Sequence, residues 1–219
     1  MNSFSKYYSM TGWRLGWLVL PDGLVDTVNR LQQNMFINAP TVSQLAAVEC
    51  FTEDVTYTLE GHVKRYAANR AVVLAALEAC GISDVAPCDG AFYAYADLGD
   101  SVLDDDVAAG MEHDESPTFE AKLAAACWLG GRSDEELREL GLGSEALCAR
   151  LLSEEGVAST PGTDFEDQLR GRGQRRVRLS FPGDTSDIAL AMERFKAWWP
   201  TWKAYVEAEA TRHLAEEAK

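Results

Sequence analysis

No run of apolar residues in this chain approaches the roughly 20 needed to cross a bilayer. The first residues also lack the charged-then-apolar layout of a signal peptide. Paired cysteines are missing as well. The five Cys (Cys50, Cys80, Cys88, Cys127, Cys148) are odd in number, widely spaced and without a C-x-x-C. They read as reduced thiols in an intracellular, cytoplasmic compartment, not as a disulfide frame or a zinc site; an upstream transit peptide would make the address organellar. His62, His113 and His213 share no metal-ligand spacing, so no metal is expected. Positive charge is scarce: 20 Lys and Arg stand against 35 Asp and Glu, a formal net charge of −15. That balance argues against a nucleic-acid backbone or an anionic membrane as partner. No internal repeat is visible.

What is present is an ordinary globular composition, 47% hydrophobic and 25% charged over 219 residues. This is enough chain for one large domain or two small ones. The acidity is uneven: Asp and Glu cluster in 97–115 and 134–155, whereas 170–178 carries five Arg. "GWLVLP" (16–21) predicts a short buried strand closed by Pro-Asp-Gly. Helical spacing follows over "DGLVDTVNRLQQNMF", then after Pro40, then from Tyr57 to Cys80 with Gly81 as C-cap. "PCDGAFYAYADL" predicts a turn and a strand. Residues 99–115 read as an irregular acidic excursion. Helix starts are expected at Ser116-Pro117 and at Ser133, where Glu136 gives a capping-box spacing. "SEALCARLLSEEG" predicts a helix with Leu147, Cys148, Leu151 and Leu152 inward, ended by Gly156. "VASTPG" and "RRVRLSF" predict short strands; a helix from Ser186 to Trp199 is expected to stop at Pro200, with a last polar helix beyond it. The order of elements is α/β with an α+β C-terminal half.

Chemistry concentrates in "SFSKYYSMTGWRLGW", Ser3 to Trp17. Ser3 stands three residues before Lys6 and Arg14 eight after it, with Met10, Gly12 and Trp13 between. The apolar filling predicts a buried segment whose polar cargo is a hydroxyl, an amine and a guanidinium. A buried amine loses its proton more readily, which is the condition for Schiff-base chemistry. An Arg with a Ser hydroxyl suits a phosphate. The residues therefore suggest a phosphorylated aldehyde bound through Lys6. The competing Ser-x-x-Lys reading, that of serine enzymes including β-lactamases, also needs S-D-N and K-T-G, and neither occurs. "GLGSEA" (141–146) follows a charged helical run where a dinucleotide fingerprint needs a strand, so it reads as a loop and helix cap.

The same segment resembles the cofactor-lysine segment of class I pyridoxal 5'-phosphate (PLP) aminotransferases, the fold-type I family that includes aspartate aminotransferases: Ser-x-x-Lys, then Met-Thr-Gly-Trp-Arg-x-Gly. The resemblance implies that Lys6 forms the internal aldimine and shuttles the substrate's Cα proton, and that Ser3 and Arg14 bind the cofactor phosphate. "PCDGAFYAYADL" resembles the family's Gly-Ala-Phe-Tyr strand beside the substrate, which suggests Gly90 and Phe92 as pocket neighbours. "GVASTPGTDFEDQLRGRGQRRVRLSF" resembles its closing strands, where the Arg before Leu-Ser binds the α-carboxylate; this selects Arg178. Strand alternation independently sets Arg176, Arg178 and Ser180 on one face and Val177 and Leu179 on the other. Arg170, Arg172, Arg175 and Arg176 read as surface salt-bridge residues.

The resemblance spans roughly residues 2–100 and 144–199 and implies the C-terminal portion of the fold: the end of the large domain (1–57), an α+β small domain (58–200) with an insertion at about 101–143, and a helical tail (201–219). In the family most of the large domain precedes the cofactor lysine, whereas five residues precede Lys6. The aromatic that stacks on the ring and the Asp that pairs with its nitrogen are therefore expected outside these residues. So is a sheet to flank the strand near Pro21, without which apolar edges are left exposed. The implied activity is amino transfer between an amino acid and a 2-oxo acid in a homodimer. The lysine segment does not separate transaminases from β-elimination lyases or aminocyclopropane-carboxylate-synthase-like enzymes of the same fold type. The alternative of another class is a non-catalytic fragment acting as an interaction module.

Overall fold

A computed structural model describes residues 1–99, 129, 131–167 and 172–217. Most of the expected insertion, the helix start at Ser116-Pro117, Cys127, His113 and Arg170 lie outside the described residues. The chain divides into two compact units, Met1–Lys64 and Arg65–Lys219.

The first unit opens with a loop closed by two short strands. β1 (Asn2–Ser3) pairs antiparallel with β2 (Gly16–Trp17), Asn2 opposite Trp17 and Ser3 opposite Gly16. Glycine is required at that crossing, because a Cβ on Gly16 would lie 2.7 Å from the Asn2 carbonyl oxygen. The strand expected over 16–21 is reduced to these two residues, and Leu18 and Val19 are 49% and 83% exposed. The run has only the two-residue β1 beside it among the described residues, so no sheet is there to bury it. Helix α1 (Asp22–Phe36) covers the periodic stretch read from sequence, yet none of its residues is buried. Leu24, Val25, Leu31 and Met35 keep their shared face in solvent. α2 (Thr41–Val48) follows Pro40. α3 (Glu53–Ala79) begins four residues before the expected Tyr57 and contains the division between the units. It ends as predicted: Gly81 has φ +75°, and the Ile82 N–H donates to the Leu77 carbonyl at 2.9 Å, a Schellman closure.

The second unit is built on an antiparallel sheet of order β3–β5–β4, with β3 at Tyr93–Asp97, β4 at Thr160–Pro161 and β5 at Arg176–Ser180. Ala94, Ala96, Val177 and Leu179 are buried on one face. They meet Val73 and Leu77 of α3, Leu147 and Leu151 of α5 (Ser144–Glu155), and Phe195, Trp199 and Trp202 of α6 (Thr185–Glu217) in one core. Leu152, expected inward, is 54% exposed, close to the C-terminal end of α5 where Gly156 takes φ +69°. α6 runs on through Pro200 instead of stopping there. Proline removes one backbone donor from a helix interior, but Trp199, Trp202, Val206 and Ala210 are all buried beyond or beside it. That burial, at roughly 1.5–3 kcal/mol per large side chain, outweighs the lost bond and carries the helix through 201–217. α4 (Asp134–Glu139) has the predicted capping box, with the Ser133 N–H donating to Glu136 Oε2 at 2.8 Å and the Glu136 N–H to Ser133 Oγ at 3.3 Å.

Two outcomes follow. Gly16→Ala should destabilise the chain by about 1–3 kcal/mol, since overpacking against backbone relaxes poorly; an unchanged urea midpoint would contradict the close approach at the strand crossing. Hydrogen bonds from the Ser133 backbone N–H, then from the Ser133 hydroxyl and Arg132, hold the Glu136 carboxyl down at about 2 against an ordinary 4.5. A depressed carboxyl stabilises the fold above its unfolded value and loses that contribution as pH falls toward its folded one. The thermal midpoint of the native chain should therefore fall more steeply between pH 4.5 and 2 than that of Glu136→Gln.

Candidate functional site

In the first unit, residues Phe4 to Leu15 leave and re-enter the β1–β2 pair. The Phe4 N–H donates to the Leu15 carbonyl at 3.1 Å, and the Met10 N–H to the Phe4 carbonyl at 3.1 Å. Phe4 and Met10 turn inward against Ala47 and Cys50. Phe4 sits 4.9 Å from the rings of both Tyr8 and Trp17. The buried Ser43 of α2 donates from Oγ to the Trp13 carbonyl at 2.6 Å, anchoring the far side of the loop. Phe4 and Met10 are buried and Tyr8 and Leu15 partly so, while Tyr7 and Trp13 stay exposed beside the polar side chains.

Ser3, Lys6 and Arg14 are all exposed. The expectation of a buried segment is thus corrected: the buried members are Phe4 and Met10, and this small cluster is too narrow to cover the amine as well. Ser3 and Arg14 do meet at one feature, an open cleft of about 990 Å³ that both line, together with Ser5; Lys6 is not among its lining residues. Ser3 Oγ donates to Ser5 Oγ at 3.0 Å and accepts the Ser5 N–H at 3.1 Å. Arg14 takes the left-handed conformation, φ 52° and ψ 51°, at the end of the 3-10 turn Thr11–Trp13, and its Nη1 donates to the Thr11 carbonyl at 3.0 Å. That conformation costs a non-glycine residue roughly 1–2 kcal/mol and aims the guanidinium locally. Hydroxyl and guanidinium groups are the donor types that suit a phosphate, and Ser3, Ser5 and Arg14 bring them to the lining of one cleft. Sequence reasoning did not select Ser5; its signal is a second hydroxyl two residues after Ser3.

In the second unit the outer face of the sheet carries the chemistry. Register sets Tyr95 and Thr160 on either side of Arg178, and Asp97 opposite Arg176. Arg176 donates from Nε to Asp97 at 3.1 Å and from Nη1 to Glu166 at 2.6 Å. Tyr95 also donates to Glu166, at 2.9 Å. The Arg176 and Tyr95 hydrogen bonds hold the Glu166 carboxyl below its ordinary range. Burial, then the Glu166 contact, pushes the Tyr95 hydroxyl up to about 12. Arg172 reaches Asp97 at 3.7 Å, whereas Arg175 caps the carbonyls of Leu129 and Arg132 at 3.1 and 3.0 Å. Arg172 and Arg176 are the salt-bridge residues expected, and Arg175 is a backbone cap.

Arg178 differs from these neighbours. It is half-buried, donates from Nη2 to Thr160 Oγ1 at 3.2 Å, and places its guanidinium carbon 4.6 Å from the Tyr93 ring centroid and 4.4 Å from that of Phe165. Its Nε–H is buried without a hydrogen-bond partner. Among the described residues no carboxylate pairs with it. Phe92 packs against the core, meets Tyr66 edge-on at 5.7 Å and lies 4.6 Å from the Tyr93 ring. The rings at Arg178 are Tyr93 and Phe165, neither selected from sequence. Alternation from Arg178 through the register pairs reaches Tyr93, but Phe165 arrives from a loop. Gly90 is exposed, and the left-handed residue of that turn is Ala91, φ 60°. Among the described residues no His, Cys, Asp and Glu group is placed to hold a metal ion, and no helix is long and apolar enough to cross a membrane.

Comparison with known proteins gives this geometry its family. The model of the family "aminotransferase class I and II" matches residues 1–195. A valine–pyruvate aminotransferase of Mycobacterium tuberculosis is 38% identical over 92% of this chain and 41% of its own length. An aspartate aminotransferase of Sulfolobus acidocaldarius is 27% identical over 89% of this chain and 38% of its own length. Among solved structures, an aminotransferase from Mycobacterium tuberculosis superposes with a TM-score of 0.68 at 38% identity, covering 91% of this chain and 41% of that one. A Methanococcus jannaschii protein, similar in its active site to kynurenine aminotransferases, gives 0.65 at 26% identity over 90% and 41%. The chain thus spans about two fifths of the length of the relatives it matches, and its α/β arrangement is part of the fold-type I architecture of PLP-dependent transferases. By sequence and by fold, this chain belongs to the class I and II aminotransferases.

Proposed function

We propose that this chain contributes the amine, the phosphate donors and the carboxylate receptor of a PLP-dependent aminotransferase, which moves an amino group between an amino acid and a 2-oxo acid. The observation that carries this reading is Arg178: a guanidinium held against two rings, with a buried unpartnered Nε–H and no carboxylate paired with it among the described residues. A buried donor left unmade costs about 1–3 kcal/mol, and the planar guanidinium edge matches a carboxylate in bidentate fashion. An α-carboxylate is therefore its proposed ligand.

Ser3, Ser5 and Arg14 are the proposed phosphate donors. When bound, PLP supplies an electron sink for the electrons left on Cα. Lys6 is the proposed nucleophile and the carrier of the Cα proton, and both roles need its neutral amine. Lys6 is exposed among the described residues, so its desolvation has to come from cofactor, substrate or further protein. The 38% identical relative makes valine with pyruvate the first substrate pair to assay. A homodimer is the proposed assembly of the whole protein.

Adding PLP, reducing with borohydride and mapping peptides should find a pyridoxyl group on Lys6 and none on Lys6→Ala; a folded sample left unlabelled overturns the assignment. Arg14→Gln should weaken PLP binding by about 1.5–3 kcal/mol, the worth of a charge-assisted hydrogen bond, read by absorbance titration. Release of 2-oxo acid that requires an acceptor marks amino transfer, and release without one marks β-elimination.

A further inference from the structure

The aromatic that reaches Arg178 from outside the sheet is held there by an unusual amount of structure. Phe165 closes the 3-10 turn Gly162–Asp164, its N–H donating to the Gly162 carbonyl at 2.9 Å. That turn is pressed onto the start of β5. A Cβ on Gly162 would lie 2.6 Å from the Gly173 carbonyl oxygen, and one on Gly173 would lie 2.8 Å from Thr163 Cα. Thr163 Oγ1 donates to Glu145 at 3.0 Å on one side. On the other, Glu166 takes hydrogen bonds from both Arg176 and Tyr95, at 2.6 and 2.9 Å. The Phe165 ring also meets the Tyr95 ring edge-on at 6.1 Å. For all this anchoring, Phe165 remains 49% exposed. A large ring gains little from burial when half of it stays in water, so core packing does not account for a turn tied down at four points.

We infer that Phe165 is a positioning residue for carboxylate binding at Arg178, and that Glu166, clasped by Arg176 and Tyr95, is the latch that keeps Phe165 over the guanidinium. The inference rests on the reading of Arg178 as a carboxylate receptor. An unrestrained Arg side chain gives up rotamer freedom when it binds. Ring contacts of 4.4 and 4.6 Å restrict that freedom in advance without occupying the N–H groups. A carboxylate from the protein in the same place would fix the guanidinium too, but would consume its donors. The ring positions Arg178 and takes up none of its N–H groups, of which Nη2 is engaged by Thr160.

The experiment is a titration of the full chain with acetate and pyruvate, followed at the Arg Nε–H resonances by proton–nitrogen NMR, with Arg178→Gln identifying the Arg178 signal. The native chain should show a saturable shift of that signal. Phe165→Tyr, which keeps the aromatic face, should bind within about twofold of native. Phe165→Leu and Glu166→Ala should weaken binding about two- to tenfold, the range expected for one cation–π contact, with the dispersed spectrum of a folded protein retained. Native-like binding by both Phe165→Leu and Glu166→Ala, alongside its loss in Arg178→Gln, would overturn the positioning role and leave the carboxylate reading standing. An Arg178 signal unmoved by either anion in the native chain would bring down the carboxylate reading and the role of Phe165 with it.

Discussion

The pairing of β3 with β5 is the constraint from which the second unit's chemistry follows. Antiparallel register makes each residue of one strand share a face with its partner on the other. Placing Ala94 opposite Leu179 and Ala96 opposite Val177 commits one face to the core. The alternate positions then have no choice: Tyr95 stands opposite Arg178 and Asp97 opposite Arg176 on the outer face. A slip of one residue would bury the arginines and expose the aliphatics, a reversal that a one-sided core resists strongly. The ion pairs, the aromatic contacts of Arg178 and the seat of the Phe165 turn are therefore consequences of where the aliphatic residues fall.

The first unit is organised by a different and weaker device. Two strands of two residues each close a loop whose inward side is Phe4 and Met10. The loop turns its hydroxyls, its amine and its guanidinium outward, and two non-glycine residues within it, Ser9 and Arg14, sit at positive φ. Strain of this kind persists only where the surroundings fix it, and it concentrates where a side chain has to be aimed. Here the fixing contacts are short hydrogen bonds such as Ser43 to the Trp13 carbonyl, not a broad apolar core. The same unit leaves Leu18, Val19, Leu24, Val25, Leu31 and Met35 substantially exposed, in a chain that spans about two fifths of its relatives' length.

Much of this was legible in the sequence wherever one local interaction decides the outcome. The α1 span, the Gly81 and Gly156 helix ends, the Ser133–Glu136 capping box and the inward set Val177 and Leu179 follow from backbone geometry, hydrogen bonding over a few residues and alternation. The readings that failed needed a partner from elsewhere in the chain. The 16–21 run looks like a buried strand, but burial depends on a neighbouring sheet. Pro200 looks like a helix stop, but Trp202, Val206 and Ala210 lie beyond it on a face that the core covers. Within the Gly-Ala-Phe-Tyr motif, Tyr93 has the parity that reaches Arg178, with Phe92 beside it at 4.6 Å, and that adjacency also depends on the pairing with β5.

What the sequence by itself determined is the inventory and its order: a Ser, a Lys and an Arg at family spacing, an Arg at an outward position of a closing strand, and the membership these imply. Covalent spacing and side-chain chemistry suffice for that, because neither depends on what lies across the fold. Only the tertiary structure decided which groups share surroundings. It set Ser5 with Ser3 and Arg14 on one cleft, left Lys6 in the open, gave Asp97 to Arg176 and Arg172, and brought Phe165 to Arg178 from a loop 13 residues earlier in the chain. Proximity between residues distant in sequence is set by packing and register, and those exist only once the chain has folded.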